Sequence, residues 1–431
     1  MSDDQFDAIV VGAGCAGAVA AYRLASAGRS VLVVERGNYA GAKNMTGGRI
    51  YTHALARVFP DFEGSAPLQR RITHEKISMA APDALFTMDF TADELRESGK
   101  DSYAVLRGPF DQWLAERAEE AGADFIYGIA VEDLIVRDGR VCGVVAGGDE
   151  VEARITVLAD GANSLLAQKA GLADDVPLPC QMAVGAKETI ALPPSVIEDR
   201  FLCAPGEGAA WMFAGDCTKG RVGGGFLYTN DDSISLGLVA TLSDLAAGDV
   251  PIYQMLEDFK QRADIAPLVK GGELVEYSGH LVPEGGLAMV PRLYGDGVLV
   301  CGDAAMLCMN LGYSVRGMDF AVSSGDLAAD AVMRALEADD VSAAQLAAYE
   351  QLLDGCYVLQ DLKRFRRFPR YMEETTRIFN EYPAMARDIM LNLFKVDGHP
   401  QARIKDKLLD PLKRVGLWRV AQDGRKGMKA L

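Results

Sequence analysis

The chain predicts an α/β fold: a parallel-sheet domain of Rossmann type, interrupted by an inserted antiparallel sheet and followed by a helical C-terminal region. Three observations predict it. A strand, a glycine-rich turn, an alanine-rich helix and a second strand open the sequence. A further strand with a carboxylate at its end, VLVCGD, follows almost 300 residues later. Between them, over residues 181–291, short alternating or apolar runs separated by turn residues replace the strand–helix alternation.

Residues 7–11, DAIVV, form a short apolar strand, and residues 12–17 read GAGCAG. The run 18–27 is helical, with Gly28 as its C-cap. Residues 31–34 are the second strand, and Glu35 stands 18 residues past Gly17. In that context the glycines carry chemistry. Gly12, Gly14 and Gly17 permit a tight turn and a close backbone approach to a pyrophosphate, and Glu35 would accept from a ribose hydroxyl. Ala13, Cys15 and Ala16 complete the turn, and Arg36 follows the acid. The loop 40–51, AGAKNMTGGRIY, contains Gly47 and Gly48; it could lie along a bound cofactor or be a surface loop. Arg107 opens RGPFDQWLAERAEEAGA, whose Phe110, Trp113, Leu114 and Ala118 share one helical face. Arg107 lies either over the adenine or diphosphate side of a nucleotide or in a helix-start salt bridge. Residues 129–145 alternate, include Val131, and turn at Asp138-Gly139, a type I′ hairpin signal. The strand 155–158 runs into Asp160-Gly161, either a cofactor contact or a plain turn.

The runs GAKETIALP, AAWMFAG, GGGFLYTN and SISLGLVATL read as the inserted sheet, whose inner face would cover cofactor and substrate. The helix 251–262 interrupts it. The strand 298–301, Gly302-Asp303, a loop holding Gly312 and Val315, and a helix then return the chain to the first domain. Asp303 sits at the mouth of the sheet, and the following amides and helix N-terminus suit an electron-rich group. Two segments so far apart that serve one ligand imply a long ligand, FAD. Neither Gly147-Gly148 nor the glycines 223–225 lie in a second strand–GxGxxG–helix unit, so no dedicated nicotinamide domain is expected. The plan is therefore 1–180, first part of an FAD-binding domain; 181–291, sheet domain for substrate or quinone; 292–341, second part of the FAD-binding domain; and 342–431, helical and basic.

Bulk properties narrow the class. A chain of 431 residues is too long for one simple core. No run approaches the ~20 apolar residues of a membrane span, and the acidic N-terminus MSDDQF is unlike a signal peptide, so a cytoplasmic protein is expected. None of the eight cysteines forms a CxxC pair and four histidines are scattered, which argues against a dithiol centre, an iron–sulfur cluster or a metal site. The net charge of −17 is uneven: residues 361–431 carry 17 Lys and Arg against 9 Asp and Glu, or +8, and the rest carries −25. A basic end on an acidic body suits docking to an anionic membrane or partner, or is a solvated helical surface. In LLDPLKRVGLWRVAQDGRKGMKAL, Leu, Val and Trp418 alternate with Lys and Arg, as in an interfacial helix. KRFRRFPRY, residues 363–371, interleaves cations and aromatics, but the acidic body makes nucleic acid an unsuitable partner.

The order GAGCAG, Glu35, Arg107, Asp160-Gly161 and Gly302-Asp303 resembles the glutathione-reductase-type FAD-binding superfamily, in the branch with hydroxylases and prenyl reductases. Within it, ERGNYAGAKNMTGGRIY, GGGFLYTN, SGHLVPEGG and GDAAMLCMNLGYSVRGMD are similar to the FixC-type members of the electron-transfer-flavoprotein:quinone oxidoreductase family. The similarity covers nearly the whole chain. It implies noncovalent FAD and electron transfer from an electron-transfer flavoprotein toward quinone. It also implies a complex with that flavoprotein's alpha and beta subunits and a small ferredoxin-like iron–sulfur subunit, in which NADH oxidation and electron bifurcation could occur. Longer relatives carry a cysteine-rich iron–sulfur domain at the C-terminus; here the last cysteine is Cys356. The resemblance implies a peripheral position at the cytoplasmic membrane face. It marks Gly12, Ala13, Gly14, Cys15, Ala16, Gly17, Glu35, Arg36, Gly47, Gly48, Arg107, Val131, Asp160, Gly161, Gly302, Asp303, Gly312 and Val315 as the cofactor-binding set. No catalytic acid or base is singled out, since quinone can take protons through water. The competing expectations are a geranylgeranyl-type prenyl reductase, a non-enzymatic electron wire, and an aromatic hydroxylase on the same scaffold.

Overall fold

The computed structural model describes residues 5–44, 47–173 and 176–431. The acidic residues of 1–4 and Met45-Thr46 of the glycine-rich loop lie outside the described residues.

The first layer is built from near-continuous apolar strands, as burial on both faces requires. β1 (Phe6–Val11) runs into α1 (Cys15–Ser26), and β2 (Val31–Glu35) pairs with β1 in parallel. Small side chains let α1 lie close on the sheet. Gly28, at φ +74°, ends it and donates to the Ala25 carbonyl at 2.8 Å. The next stretch supplies β3 (Gly48–Tyr51), β4 (Leu68–Ala81), β5 (Ala84–Phe90) and β6 (Ser102–Val105). α2 (Arg107–Glu120) buries Phe110, Trp113, Leu114 and Ala118, the face expected from the sequence. β7 (Asp124–Tyr127) joins the parallel sheet beside β2. β8 (Val131–Arg137) and β9 (Arg140–Ala146) form the predicted hairpin, with Asp138 and Gly139 at φ +49° and +80° as a type I′ turn demands. β10 (Asp149–Leu158) pairs with β9 at its start and enters the parallel sheet beside β1.

The second layer contains β11 (Met182–Ala191), β12 (Glu207–Gly215), β13 (Gly223–Thr229), β14 (Ser233–Thr241) and β15 (Glu273–Pro283), with α3 (Ile252–Lys260) on its outer face. β16 (Tyr294–Gly295) and β17 (Val298–Val300) return to the first sheet, whose order is β16-β17-β10-β1-β2-β7. α4 (Met318–Glu337) packs on α1 so closely that a Cβ on Gly325 would stand 2.2 Å from the Ala16 carbonyl oxygen.

The second sheet is larger than residues 181–291. Its order is β15-β11-β14-β13-β12-β4-β6-β3, with β5 on β4, so four of nine strands come from residues 48–105. It is antiparallel except where β4 and β12 pair in parallel. That pairing joins segments more than 100 residues apart, and no local signal specifies it. The chain ends in helices, among them α5 (Glu381–Phe394), α6 (Ile404–Val415) and α7 (Leu417–Ala430). Tyr349, Leu353, Val358, Leu362 and Phe368 of this region enter the same core as the parallel sheet. No helix among the described residues is long and apolar enough to cross a membrane.

Candidate cofactor-binding site

A cavity of about 1880 Å³ lies between the two sheets. Its floor is the turn after β1, where each glycine has a separate reason. Gly12 adopts φ +98°, and a Cβ there would stand 2.5 Å from the Ala159 carbonyl oxygen. A Cβ on Gly17 would stand 1.9 Å from the Gly12 carbonyl oxygen, so only glycine lets α1 start against the strand end. At Gly14 the Cβ position is open, its nearest neighbours being the Arg107 guanidinium and the Asn44 amide at 3.9 Å. A tight turn, a close packing contact and an open backbone facing a cation are the features that binding a diphosphate requires.

Glu35 organises that turn. Its carboxylate accepts from the Ala13 N–H at 2.9 Å and from the Gly37 N–H at 2.6 Å, and it borders the cavity beside Arg36. Of the two expectations held for Arg107, the structure shows the helix-start salt bridge. Arg107 makes a bidentate pair with Asp111, both contacts at 2.9 Å, and also lines the cavity. Asp111, fully buried, is further bonded by the Asn44 amide and by the Cys15 thiol at 3.5 Å, so the guanidinium is locked in place.

Two carboxylates face the cavity with capacity to spare. Asp160 accepts from the Leu166 N–H at 3.5 Å through one oxygen, while its buried Oδ1 has no partner among the described residues. Asp303 makes no side-chain hydrogen bond among the described residues; burial pushes its carboxyl up, opposed by Arg107 and His280. Burial pushes the His280 imidazole down, and Asp303 opposes that shift.

The loop after Asp303 is a small antiparallel ribbon pairing Met309 with Arg316 and Asn310 with Val315. Gly312, at φ +77°, occupies its tip and donates to Asn310 Oδ1 at 2.8 Å. Asn310 donates in turn to Glu284 at 3.3 Å. Burial raises the Glu284 carboxyl to about 7, against the pull of the Asn310 bond.

Of the sequence-predicted set, Gly12, Gly14, Cys15, Ala16, Glu35, Arg36, Gly47, Gly48, Arg107, Val131, Asp160, Gly161, Asp303, Gly312 and Val315 line the cavity. Ala13, Gly17 and Gly302 lie behind the wall. Gly302 takes φ +63° and donates to Ser324 Oγ at 2.9 Å, with a Cβ position 2.8 Å from the Ala16 Cβ. Sequence reasoning missed Arg49, Tyr228, His280, Glu284 and the C-terminal Arg366 and Arg370, all of which line the cavity. The only signal for Glu284 was its place in VPEGG, a charged residue between a strand end and two glycines.

Protein FixC of Escherichia coli K12 is 50% identical over 431 residues, covering 100% of both chains. The chain belongs to the ETF-QO/FixC family. The C-terminal domain model of that family matches residues 368–431, and the model described as FAD dependent oxidoreductase matches residues 7–97. Another relative, the probable electron transfer flavoprotein-quinone oxidoreductase YdiS of E. coli K12, is 50% identical over 433 residues, again with 100% coverage of both. Among solved structures, a geranylgeranyl bacteriochlorophyll reductase-like protein from Thermoplasma acidophilum superposes with TM-score 0.72 at 18% identity, covering 98% of this chain and 99% of that one. A flavoprotein/dehydrogenase from Cytophaga hutchinsonii gives TM-score 0.64 at 17% identity, covering 98% and 96%. At such identities the likeness is one of fold.

This ETF-QO/FixC chain is an FAD-dependent oxidoreductase. The residues present fit FAD. The cavity is continuous from the glycine turn to the second sheet, the open face of Gly14 looks toward a locked guanidinium, and the Asp160 and Asp303 oxygens keep acceptor capacity.

Proposed function

We propose that this chain passes electrons from an electron-transfer flavoprotein through its FAD to a quinone, as the FixC-like subunit of a complex with the flavoprotein's alpha and beta subunits and a small ferredoxin-like iron–sulfur subunit. The observation that carries this reading is one continuous cavity that reaches from the GAGCAG turn to the C-terminal residues Arg366, Pro369 and Phe379 in a chain matching FixC over its full length. FAD supplies reversible one- and two-electron chemistry when bound.

The chain's own residues do the holding and tuning. The amides of the 12–17 turn and Arg107 take the pyrophosphate, and Glu35 takes the adenosine ribose while bracing Ala13 and Gly37. Asp303 takes the ribityl hydroxyls. Gly47, Gly48 and the 309–316 ribbon border the ring system, with the N-terminus of α4 behind them at Gly317. Positive potential from that helix end stabilises negative charge developing on the ring.

Quinone arrives from a bilayer, so a peripheral membrane contact belongs to the same proposal. Phe394, Val396, Ile404, Trp418 and Met428 are each more than two-thirds exposed, on or beside helices rich in Lys and Arg. Such a face suits the interface of an anionic bilayer.

The test mixes FAD-loaded protein anaerobically with a reduced electron-transfer flavoprotein of the same cell and then adds a water-soluble quinone. Bleaching of the bound flavin followed by its return supports the proposal. A flavin that stays oxidised in the first step, or reduced in the second, overturns it.

A further inference from the structure

Lys187 is a lysine in the wrong place for a solvated charge. It lies in β11, is 1% exposed, and bonds the Gly47 carbonyl across the gap between sheet and loop. Gly47 is itself a wall of the cavity, and a Cβ there would stand 3.3 Å from Lys187 Nζ and 2.2 Å from Ser235 Oγ. No carboxylate lies within 4 Å of the amine among the described residues, although a buried ammonium ordinarily demands one. The neighbouring Glu188 points to the other face and pairs with Lys260.

The surroundings of Lys187 are polar and incompletely satisfied. Antiparallel register places Ser278 of β15 directly opposite Lys187, and Ser235 of β14 and Glu276 of β15 opposite Thr189. Opposed residues share a face, so these side chains form one strip behind Gly47. The hydroxyls of Ser278 and Thr189 and the amide oxygen of Asn230 are buried and have no partner among the described residues. Unpaired buried groups in a cluster are where ordered water is held. The strip ends at half-buried Glu276 on the edge strand of the sheet.

We propose that Lys187 is the proton acceptor coupled to reduction of the bound flavin, exchanging its proton with solvent along the strip Thr189, Ser278 and Glu276. This rests on the placement of the ring system at the Gly47–Gly48 wall given above. Two electrons from the donor and one proton convert the oxidised ring to its singly protonated, anionic reduced form. A second proton leaves a water molecule on the strip and forms an N–H bond on the Lys187 amine, and solvent replaces it at the Glu276 end. Reoxidation reverses both steps. The driving term is Coulombic: negative charge appears on the far side of Gly47 in a low-dielectric region, where a cation is strongly favoured. The charged or titratable groups facing Lys187 are Glu276, which favours its protonation, and Arg107 and His280, which oppose it when charged. Burial already lowers the amine to about 7, so it is poised to gain a proton when that charge develops.

The test is a spectroelectrochemical titration of the flavin in full-length, FAD-loaded protein from about pH 7.5 to about pH 9, with mediators and no quinone. Two protons taken up per two electrons make the midpoint potential fall twice as steeply with pH as one proton does. The unaltered protein is expected to show the steeper slope and Lys187→Met half of it. Lys187→Arg keeps a cation and a donor to Gly47 but cannot release its proton, so it too is expected to show the halved slope. Equal slopes in the unaltered protein and either variant overturn the proposal; where Lys187→Met does not load FAD, Lys187→Arg decides. Neither quinone nor partner enters the measurement. A failure here therefore leaves the electron-transfer proposal standing, and a failure of the flavoprotein to reduce the flavin leaves this slope unaffected.

Discussion

Glu35 joins two backbone segments as well as bordering the cavity, and the bracing role separates experimentally from the proposed ribose contact. Its buried carboxylate accepts from Ala13 at 2.9 Å and Gly37 at 2.6 Å. Hydrogen bonds to a charged group contribute about 1.5–3 kcal/mol each. Glu35→Gln keeps the shape but presents one oxygen and one NH₂ group. One N–H keeps a weaker, neutral acceptor, and the other meets a donor and is left unpaired. The expected loss is about 2–3 kcal/mol in the apoprotein, before any ligand is added. For a cooperative unit of roughly 150–250 residues, 1 kcal/mol moves the melting temperature by about 2–4 °C, so calorimetry of apoprotein should show a drop of roughly 4–12 °C. Adding FAD should narrow the gap only by mass action at whatever affinity the variant retains. An apoprotein that melts with the unaltered one, while FAD affinity falls, would refute the bracing role and leave Glu35 a ribose ligand alone.

Three further substitutions probe the remainder of the site. Gly17→Ala puts a Cβ 1.9 Å from the Gly12 carbonyl oxygen, and flavin content per purified chain should fall at least about tenfold as the turn reopens; normal occupancy would show that α1 can shift. Asp303→Ala should weaken FAD binding ten- to a hundredfold, about 1.4–2.8 kcal/mol, by recovery of flavin fluorescence on dilution; unchanged occupancy would make Asp303 a turn residue. Burial lifts Glu284 from 4.5 to about 7, so the folded state holds its proton where the unfolded chain has lost it. Its stabilising contribution is complete below about pH 4.5 and is lost as pH rises through 7. Glu284→Gln should remove about 2–3 kcal/mol of that pH dependence, the lower end because the side chain borders the cavity, as read from denaturant midpoints between those pH values; parallel curves for both proteins would contradict it.

What could be read before folding was local. GAGCAG, Glu35 and the Asp138-Gly139 turn are determined within a few residues of themselves, and each takes the conformation its residue types allow. The buried face of 107–120 follows from a 3.6-residue period, and the Arg107–Asp111 pair from i,i+4 spacing. The membership of residues 48–105 in the second sheet was not readable, because β4 finds β12 across more than 100 residues. The ribbon at 309–316 escaped for the opposite reason: its strands are two residues long, too short for any period. Lys187 was hidden by its type. A lysine in an alternating run marks a solvated face by default, and only the stacking of β11 beneath the Gly47 loop inverts that.

The wall of the cavity ties the C-terminal helices to the chemistry they flank. Asn310 bonds both Gly312 at the ribbon tip and Glu284 in the opposing loop. A Cβ on the next-but-one residue, Gly286, would stand 3.1 Å from the Pro369 ring, and Arg366 and Arg370 on either side of that proline line the cavity. The Tyr371 hydroxyl lies 3.0 Å from the Cβ position of Gly427 in α7, and Asp423, one turn earlier, pairs with Arg377 at 2.6 Å. Glycine at these two positions lets the Pro369 ring and the Tyr371 hydroxyl pack against backbone where a side chain would crowd them. Residues 368–431 are therefore part of the cavity's own packing, through Pro369 against Gly286 and Arg370 in the lining, and not a segment appended to a self-sufficient first domain.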